Sequence, residues 1–456
     1  MGTLIKSISG IRGIVGDGLN PEILVKFSLA FAEFCGYGKI IVGRDSRITG
    51  NFINKIVCGT LQSAGCEVID IGIVPTPTVQ LYVEKEKANG GIAITASHNP
   101  NEWNALKLIN SNGMFLNIEE ANNFFELESK LVPRFKKWND IGSYKKIEKA
   151  FTYHIDELMK IKYFDVDLIR SKKFNVLVDC VNGAGIEVVP ELLSLLGCNV
   201  TKINCDSTGI FPRNPEPLPE NLTETINFAR ANKFDLTIIV DPDVDRLVLL
   251  TDEGEPFIEE NTIVLATKFI LSKNPGIVCV NLSTTRAVED IAQEYNSKVV
   301  RTPVGEINVA TKMKELNAVI GGEGSGGVIL PDLHYGRDAL AGILITLQFL
   351  AETGKSLSEI KKELPQCFIL KDKFVMSSEV NPDKVIDKFK SKITDGIMNE
   401  EDGLRIDFPD YWVHLRRSNT EPIIRLIIEA NTVNKVKQLM EKYKTMLADS
   451  LQESFS

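Results

Sequence analysis

The sequence predicts an α/β protein in which three related α/β domains are followed by a smaller α+β domain. Three observations predict it. The chain has 456 residues, too many for one core at roughly 100–200 residues per domain, so three or four domains are expected. Short apolar runs rich in β-branched residues alternate with longer stretches of helical period, the pattern of strands covered by helices. That alternation changes character after Pro365.

In the first domain, expected over 1–150, residues 39–45 and 90–97 read as strands and 21–36 and 51–65 as helices. The second, 151–252, opens with a strand at 174–180, continues with a helix over 183–197 and a strand over 199–205, and ends on an apolar strand at 234–240. The third, 253–368, carries strand regions at 276–282, 297–305 and 317–330 and helices at 288–296, 306–316 and 337–353. In the fourth, 369–456, two strands at 403–418 and 423–430 are expected between helices at 382–393 and 432–449.

Composition narrows the function. A net charge of −9 argues against a nucleic-acid partner, because affinity for a phosphate backbone rests on clustered Lys and Arg. A small anionic ligand remains compatible, since a few placed arginines decide that locally. No apolar run approaches the roughly 20 residues that span a bilayer. The start of the chain lacks the basic, apolar and small-residue succession of an export signal, so no membrane partner and a cytoplasmic location are expected. Eight cysteines without a C-x-x-C pair read as buried, reduced thiols.

Four segments carry chemistry. Thr95-Ala96-Ser97-His98-Asn99-Pro100 leaves a strand for a polar turn, offering the Ser97 hydroxyl at a strand end, where α/β folds place ligands. A serine needs a base or a metal to act as nucleophile, and Lys107 and a cation are the candidates. Alone, the segment would read as a turn. Asp241, Asp243 and Asp245 alternate directly after the strand at 236–240, an oxygen-rich set suited to a hard cation such as Mg²⁺. A calcium loop of the EF-hand type is excluded, because its sixth and twelfth positions hold Arg246 and Asp252. Gly321–Gly327 sets Glu323 and Ser325 in a glycine-rich turn, groups that sugar hydroxyls bind, without the spacing of a nucleotide loop. Arg416 to Pro422 gathers a guanidinium, hydroxyls and an amide as a phosphate-binding loop does.

In this order and spacing, the four segments resemble the α-D-phosphohexomutase superfamily, which includes phosphoglucomutase, phosphomannomutase and phosphoglucosamine mutase. The resemblance spans nearly the whole chain. It implies four domains around a central cleft, and an isomerase that interconverts hexose 6-phosphate and hexose 1-phosphate through a phosphoserine and a bisphosphorylated sugar. Carried over by motif, Ser97 is the phosphate carrier and, with Asp241, Asp243 and Asp245, holds one Mg²⁺. Arg246 and Arg12 contact phosphate and Lys107 takes part in proton transfer. Glu323 and Ser325 bind the sugar, and Arg416, Ser418, Asn419 and Thr420 grip the phosphate that is not transferred. Hexose 1,6-bisphosphate is the implied activator, and a monomer or homodimer the implied state. The sequence departs from many relatives at Gly327, where they have histidine, and at Ile307, where they have lysine or arginine. The neighbouring stretch His334-Tyr335-Gly336-Arg337-Asp338 is the expected source of replacements. The Gly-Glu-Gly-Ser-Gly-Gly form resembles the archaeal-type phosphoglucosamine mutase branch, which tilts the expected sugar toward glucosamine phosphate.

Overall fold

The computed structural model describes residues 3–376, 380–417 and 423–453. Four sheets succeed one another along the chain. The first has seven strands in the order Ile5–Ser7, Gly10–Ile14, Trp103–Asn110, Gly90–Ile94, Lys39–Arg44, Glu67–Ile73 and Tyr144–Lys146. Three successive strands of it, 90–94, 39–44 and 67–73, run parallel. Ile40, Ile41, Val42, Ile92, Ala93 and Ile94 are all buried there, as expected of a sheet covered by helices on both faces. The first helix, Pro21–Phe34, starts where the sequence says it should: Asn20 accepts from the Ile23 amide and proline occupies the first turn.

The strand expected over 90–97 ends at Ile94, because the chain turns at Thr95 and returns as Trp103–Asn110. Ala93 pairs with Lys107 and Ile94 with Leu106. One hairpin therefore carries both Ser97, in its connection, and Lys107, on its returning arm.

In the second sheet, Leu247–Leu250, Leu236–Val240, Asn175–Asp179 and Asn199–Ile203 lie in that order. Val240 pairs with Leu247, so residues 241–246 are the tip of an antiparallel hairpin. The third sheet is Lys298–Thr302, Ile277–Asn281, Ile320–Glu323 and Gly327–Ile329. Glu323 pairs with Gly327 across a tight turn. Gly326 sits there at φ +87, and a Cβ would lie 2.4 Å from the Leu247 carbonyl oxygen, so the turn needs glycine both for its torsion and for its approach to the second sheet.

The fourth sheet is antiparallel, in the order Phe368–Val375, Ile423–Ala430, Tyr411–Arg417, Leu404–Phe408 and Ile397–Asn399. The single strand expected over 403–418 is instead a hairpin, because Phe408 and Tyr411 pair across Pro409 and Asp410, and proline cannot continue a central ladder. The helix expected from 337 begins at Ala339, since the Asp338 carboxylate caps it by accepting from the Leu340 and Ala341 amides. That leaves Arg337 outside the helix, in an isolated antiparallel bridge with Ile329.

One apolar cluster runs without interruption from the first sheet through the second and third, whereas the fourth sheet has its own. The fourth unit joins the third through polar contacts: Arg286 pairs with Asp407, its amide donates to Glu429 at 3.0 Å, and Arg405 donates to the Leu282 carbonyl. All eight cysteines are free, but Cys198, Cys205 and Cys367 are only partly buried, which corrects the expectation that every thiol is buried. Among the described residues, no helix is long and apolar enough to cross a membrane.

Candidate active site

Ser97 occupies the left-handed region, φ +47, a conformation that costs a non-glycine residue of order 1–3 kcal/mol unless its surroundings fix it. They do. Its amide donates to Thr95 Oγ1 at 2.9 Å, and Thr95 Oγ1 donates to Asp45 Oδ2 at 2.7 Å. Arg47, 1% exposed, pairs with Asp45 at 2.9 Å and donates to the carbonyls of Ser97, Asn99, Pro100 and Trp103 at 2.6–3.0 Å. One guanidinium thus ties down the whole turn around the hydroxyl.

Ser97 Oγ donates to Asp241 Oδ2 at 3.0 Å, across the join of the first and second sheets. Protein groups also hold the other aspartate oxygens of the hairpin tip, both of Asp241 and one each of Asp243 and Asp245. Asp241 Oδ1 accepts from the amides of Asp245 and Arg246, both at 3.1 Å. Asp243 Oδ2 accepts from Lys107 Nζ at 2.6 Å and from Thr76 Oγ1 at 2.7 Å. Asp245 Oδ2 accepts from Arg337 Nη2 at 2.6 Å. The opposite oxygens, Asp243 Oδ1 and Asp245 Oδ1, are buried with no hydrogen-bond partner. Ligand oxygens of all three residues lie within 4.8 Å of one another. Buried carboxylate oxygens left unpaired are costly unless something cationic meets them. Two such oxygens, with the Asp241 carboxylate and the Ser97 hydroxyl beside them, fit a hard, oxygen-seeking cation.

The electrostatics agree. Burial, then the charges of Asp245 and Asp243, push the Asp241 carboxyl well above its usual range. Burial acts the same way on Asp243, but Lys107 and Thr76 outweigh it and hold that group low. For Lys107, burial opposes the charged form and the two aspartates more than restore it, so it stands as an ammonium. His98 is driven well below its ordinary value by burial and then by Arg246, whose Nη2 donates to His98 Nδ1 at 3.2 Å. It is neutral.

A cleft of about 930 Å³ opens over this cluster, and residues of all four sheets line it. Arg12, Ser97, Lys107, Arg246, Glu323, Ser325 and Arg416 all reach it. Arg12 donates to Asn99 at 3.3 Å, and Arg416 lies 3.4 Å from Asp402. Glu323 Oε1 accepts from Asn281 Nδ2 at 2.7 Å and from the Gly305 amide at 3.1 Å. Ser418, Asn419 and Thr420 lie outside the described residues. Ile307 lines the cleft as an apolar group.

Of the stretch expected to supply replacements, His334 does not take part. It is 2% exposed and bound to Asp338 at 3.0 Å, and the same Asp338 oxygen binds His154 at 2.7 Å. Arg337 is the member that enters the cleft.

Sequence reasoning missed Arg47, Thr76 and Glu306, and left Arg337 unassigned. Buried arginines held by loop carbonyls have no periodic signature. The only available signal was an Asp-x-Arg at the end of the strand at 39–44.

Family profiles described as phosphoglucomutase/phosphomannomutase match in four consecutive parts: alpha/beta/alpha domain I over 4–127, domain II over 151–254, domain III over 259–368, and the C-terminal domain over 376–445. A probable phosphoglucosamine mutase of Methanopyrus kandleri is 34% identical over 98% of this chain and 98% of its own length. A phosphoglucomutase/phosphomannomutase of Thermococcus kodakarensis is 36% identical over 97% of this chain and 98% of its own. A crystal structure of a phosphoglucomutase/phosphomannomutase family protein from Burkholderia thailandensis superposes with a TM-score of 0.82 at 25% identity, covering 98% of both chains.

Proposed function

The chain belongs to the phosphoglucomutase/phosphomannomutase family and is a phosphohexomutase, an isomerase; from that premise we propose that it interconverts glucosamine 6-phosphate and glucosamine 1-phosphate, with Ser97 as phosphate carrier. The observation that carries the chemistry is the 3.0 Å approach of Ser97 Oγ to Asp241 beside two aspartates with unpaired buried oxygens. The sugar is argued from the Gly321–Gly327 sequence and from relatives named probable phosphoglucosamine mutase.

In this reading the resting enzyme carries phosphate on Ser97. Asp241, Asp243 and Asp245 hold one Mg²⁺, which neutralises charge on the transferring group when bound. The free hydroxyl of the bound hexose phosphate attacks phosphorus, the bond to Ser97 Oγ breaks, and the hydroxyl proton leaves to a nearby base. A hexose bisphosphate results. It turns end for end, Ser97 Oγ attacks the other phosphorus, the bond from that phosphorus to the sugar oxygen breaks, and the sugar oxygen recovers a proton as the hydroxyl of the product.

Phosphoryl transfer needs alignment and charge neutralisation more than covalent assistance. The chain supplies these with Lys107, Arg246 and Arg12. Glu323 and Ser325 orient the sugar, and Arg416 with Ser418, Asn419 and Thr420 holds the distal phosphate. Trace hexose 1,6-bisphosphate is the expected activator, because it loads a dephosphorylated serine.

The test is direct. Purified protein with Mg²⁺ and trace hexose 1,6-bisphosphate is given glucosamine, glucose and mannose 6-phosphates in turn. A preference for the amino sugar of about tenfold, or 1.4 kcal/mol, supports the assignment. Equal or faster rates on glucose and mannose phosphates move it to the reading favoured by the Thermococcus relative's name, phosphoglucomutase/phosphomannomutase.

A further inference from the structure

Arg337 spans the two halves of the site. It approaches from the third unit, from a bridge to Ile329 just before the helix Ala339–Thr353. Its Nη2 donates to Asp245 Oδ2 at 2.6 Å, its Nη1 to Glu323 Oε2 at 2.7 Å, and its Nε to Glu306 Oε2 at 3.1 Å. The Arg337 amide donates to the other Glu306 oxygen at 3.2 Å. Each arm of the guanidinium therefore meets a different carboxylate, and the side chain is only 11% exposed. A planar fork of fixed geometry is what makes this possible; a lysine ammonium carries the charge but cannot reproduce three directed contacts.

Two facts show that the space was made for it. With Oδ2 taken by Arg337, Asp245 Oδ1 is buried without a hydrogen-bond partner, and Asp245 is one of the three aspartates whose oxygens cluster. At Gly327, a Cβ would stand 2.3 Å from Arg337 Cδ and 3.0 Å from Cγ. Those are mid-chain atoms of a side chain pinned at its far end, so they have no easy retreat. Gly327 itself has no positive φ. Its lack of a side chain answers to Arg337 and not to backbone torsion.

We propose that Arg337 is a positioning residue that joins the metal-binding and sugar-binding halves of the site: it turns Asp245 to face the ion and Glu323 to face the sugar, through the space that Gly327 leaves open. The inference deepens the phosphohexomutase reading and rests on it for the identity of the sugar ligand. Arg337 need touch neither ion nor substrate. Glu306 serves as its anchor through Nε and the Arg337 amide. One guanidinium then sets two carboxylates that different sheets carry, so disturbing it is felt at both ligands.

The experiment compares wild-type protein with Arg337→Met, Arg337→Lys, Gly327→Ala and the Gly327→Ala/Arg337→Met double variant. Mn²⁺ binding to metal-free protein is measured by electron paramagnetic resonance. Glucosamine 6-phosphate and glucose 6-phosphate binding is measured by calorimetry without turnover, and melting temperature is followed in parallel. For Arg337→Met, both the Mn²⁺ and the phosphosugar dissociation constants are expected to rise about tenfold, as when the partner behind a metal ligand is removed. Arg337→Lys should restore part of one and not both. Gly327→Ala, the milder change, should shift both constants in the same direction by displacing the arginine. The double variant should be no worse than Arg337→Met, because the two changes remove one interaction.

A variant pair that melts earlier yet binds Mn²⁺ and phosphosugar like wild type reduces Arg337 to a structural ion pair and overturns the proposal. So do additive effects of Gly327→Ala and Arg337→Met. A wild-type protein that binds neither phosphosugar would sink the functional reading instead, and the Mn²⁺ constants across the cycle would still judge the arginine's hold on Asp245.

Discussion

At the scale of single residues, the site depends on a hydroxyl in a strained backbone position and on the group that keeps it there. Replacing Ser97 by alanine removes the phosphate carrier while leaving Arg47 and its four carbonyl contacts in place. Turnover should fall to background and the melting temperature should hardly move. Arg47→Met is the converse case. It takes from the buried Asp45 carboxylate the cation paired with it and frees the turn, so it should lower unfolding free energy by about 3–5 kcal/mol in urea titrations and slow turnover as well. Ser97 and the aspartates were legible in the sequence, because each follows an apolar strand and carries a distinctive pattern of residue types. Arg47 and Arg337 were not, because what fixes them is the set of oxygens the fold gathers around them. No spacing of residues announces such a set.

At the scale of elements, three of the four loops read from the sequence, those holding Ser97, the aspartates and Glu323, connect neighbouring strands, and the pairing of those strands aims them. The strand Phe368–Val375 had no comparable signal. It is an edge strand of mixed polarity, and it lies too far from the phosphate loop in sequence to be read with it. Yet it carries Lys371, which reaches Glu260 at 3.0 Å and Glu259 at 3.3 Å at the start of the helix Glu259–Lys273. Burial pushes the Glu260 carboxyl up to about 7, with Lys371 opposing the shift. The folded state therefore binds the Glu260 proton more tightly than the unfolded chain does. The resulting stability is fully present below the ordinary glutamate range and is lost as pH rises toward 7, by up to about 1.4 kcal/mol per pH unit. Glu260→Gln should flatten that part of the profile when melting temperature is followed from pH 4.5 to 8. An unchanged slope would show that another group is responsible. The hairpin at 404–417 teaches a related lesson: Leu404, Ile406 and Phe408 alternate with polar residues only as far as Pro409-Asp410, and that turn pair marks the reversal.

At the scale of the whole molecule, the cluster of buried carboxylates is a liability that a cation relieves. Adding Mg²⁺ to chelator-treated protein should raise the melting temperature. The gain is about 2.7 kcal/mol when free ion exceeds its dissociation constant a hundredfold. Asp243→Asn should abolish most of that gain, as read by thermal unfolding with and without the ion. The succession of α/β units and the different last one were legible from the alternation of strand and helix signals. What the alternation did not reveal is how the cores divide: a single apolar cluster threads the first three units, and the fourth keeps its own and meets its neighbour through arginines and carboxylates.

The cleft these units enclose, about 930 Å³, lies near the upper end of the roughly 300–1,000 Å³ common for small-molecule sites. A sugar bearing two phosphates and held in so roomy a chamber has space to somersault while still captive. Label placed on the serine should therefore emerge mostly on the same carbon skeleton that collected it, and scrambling into a chase pool would measure how often the captive slips out.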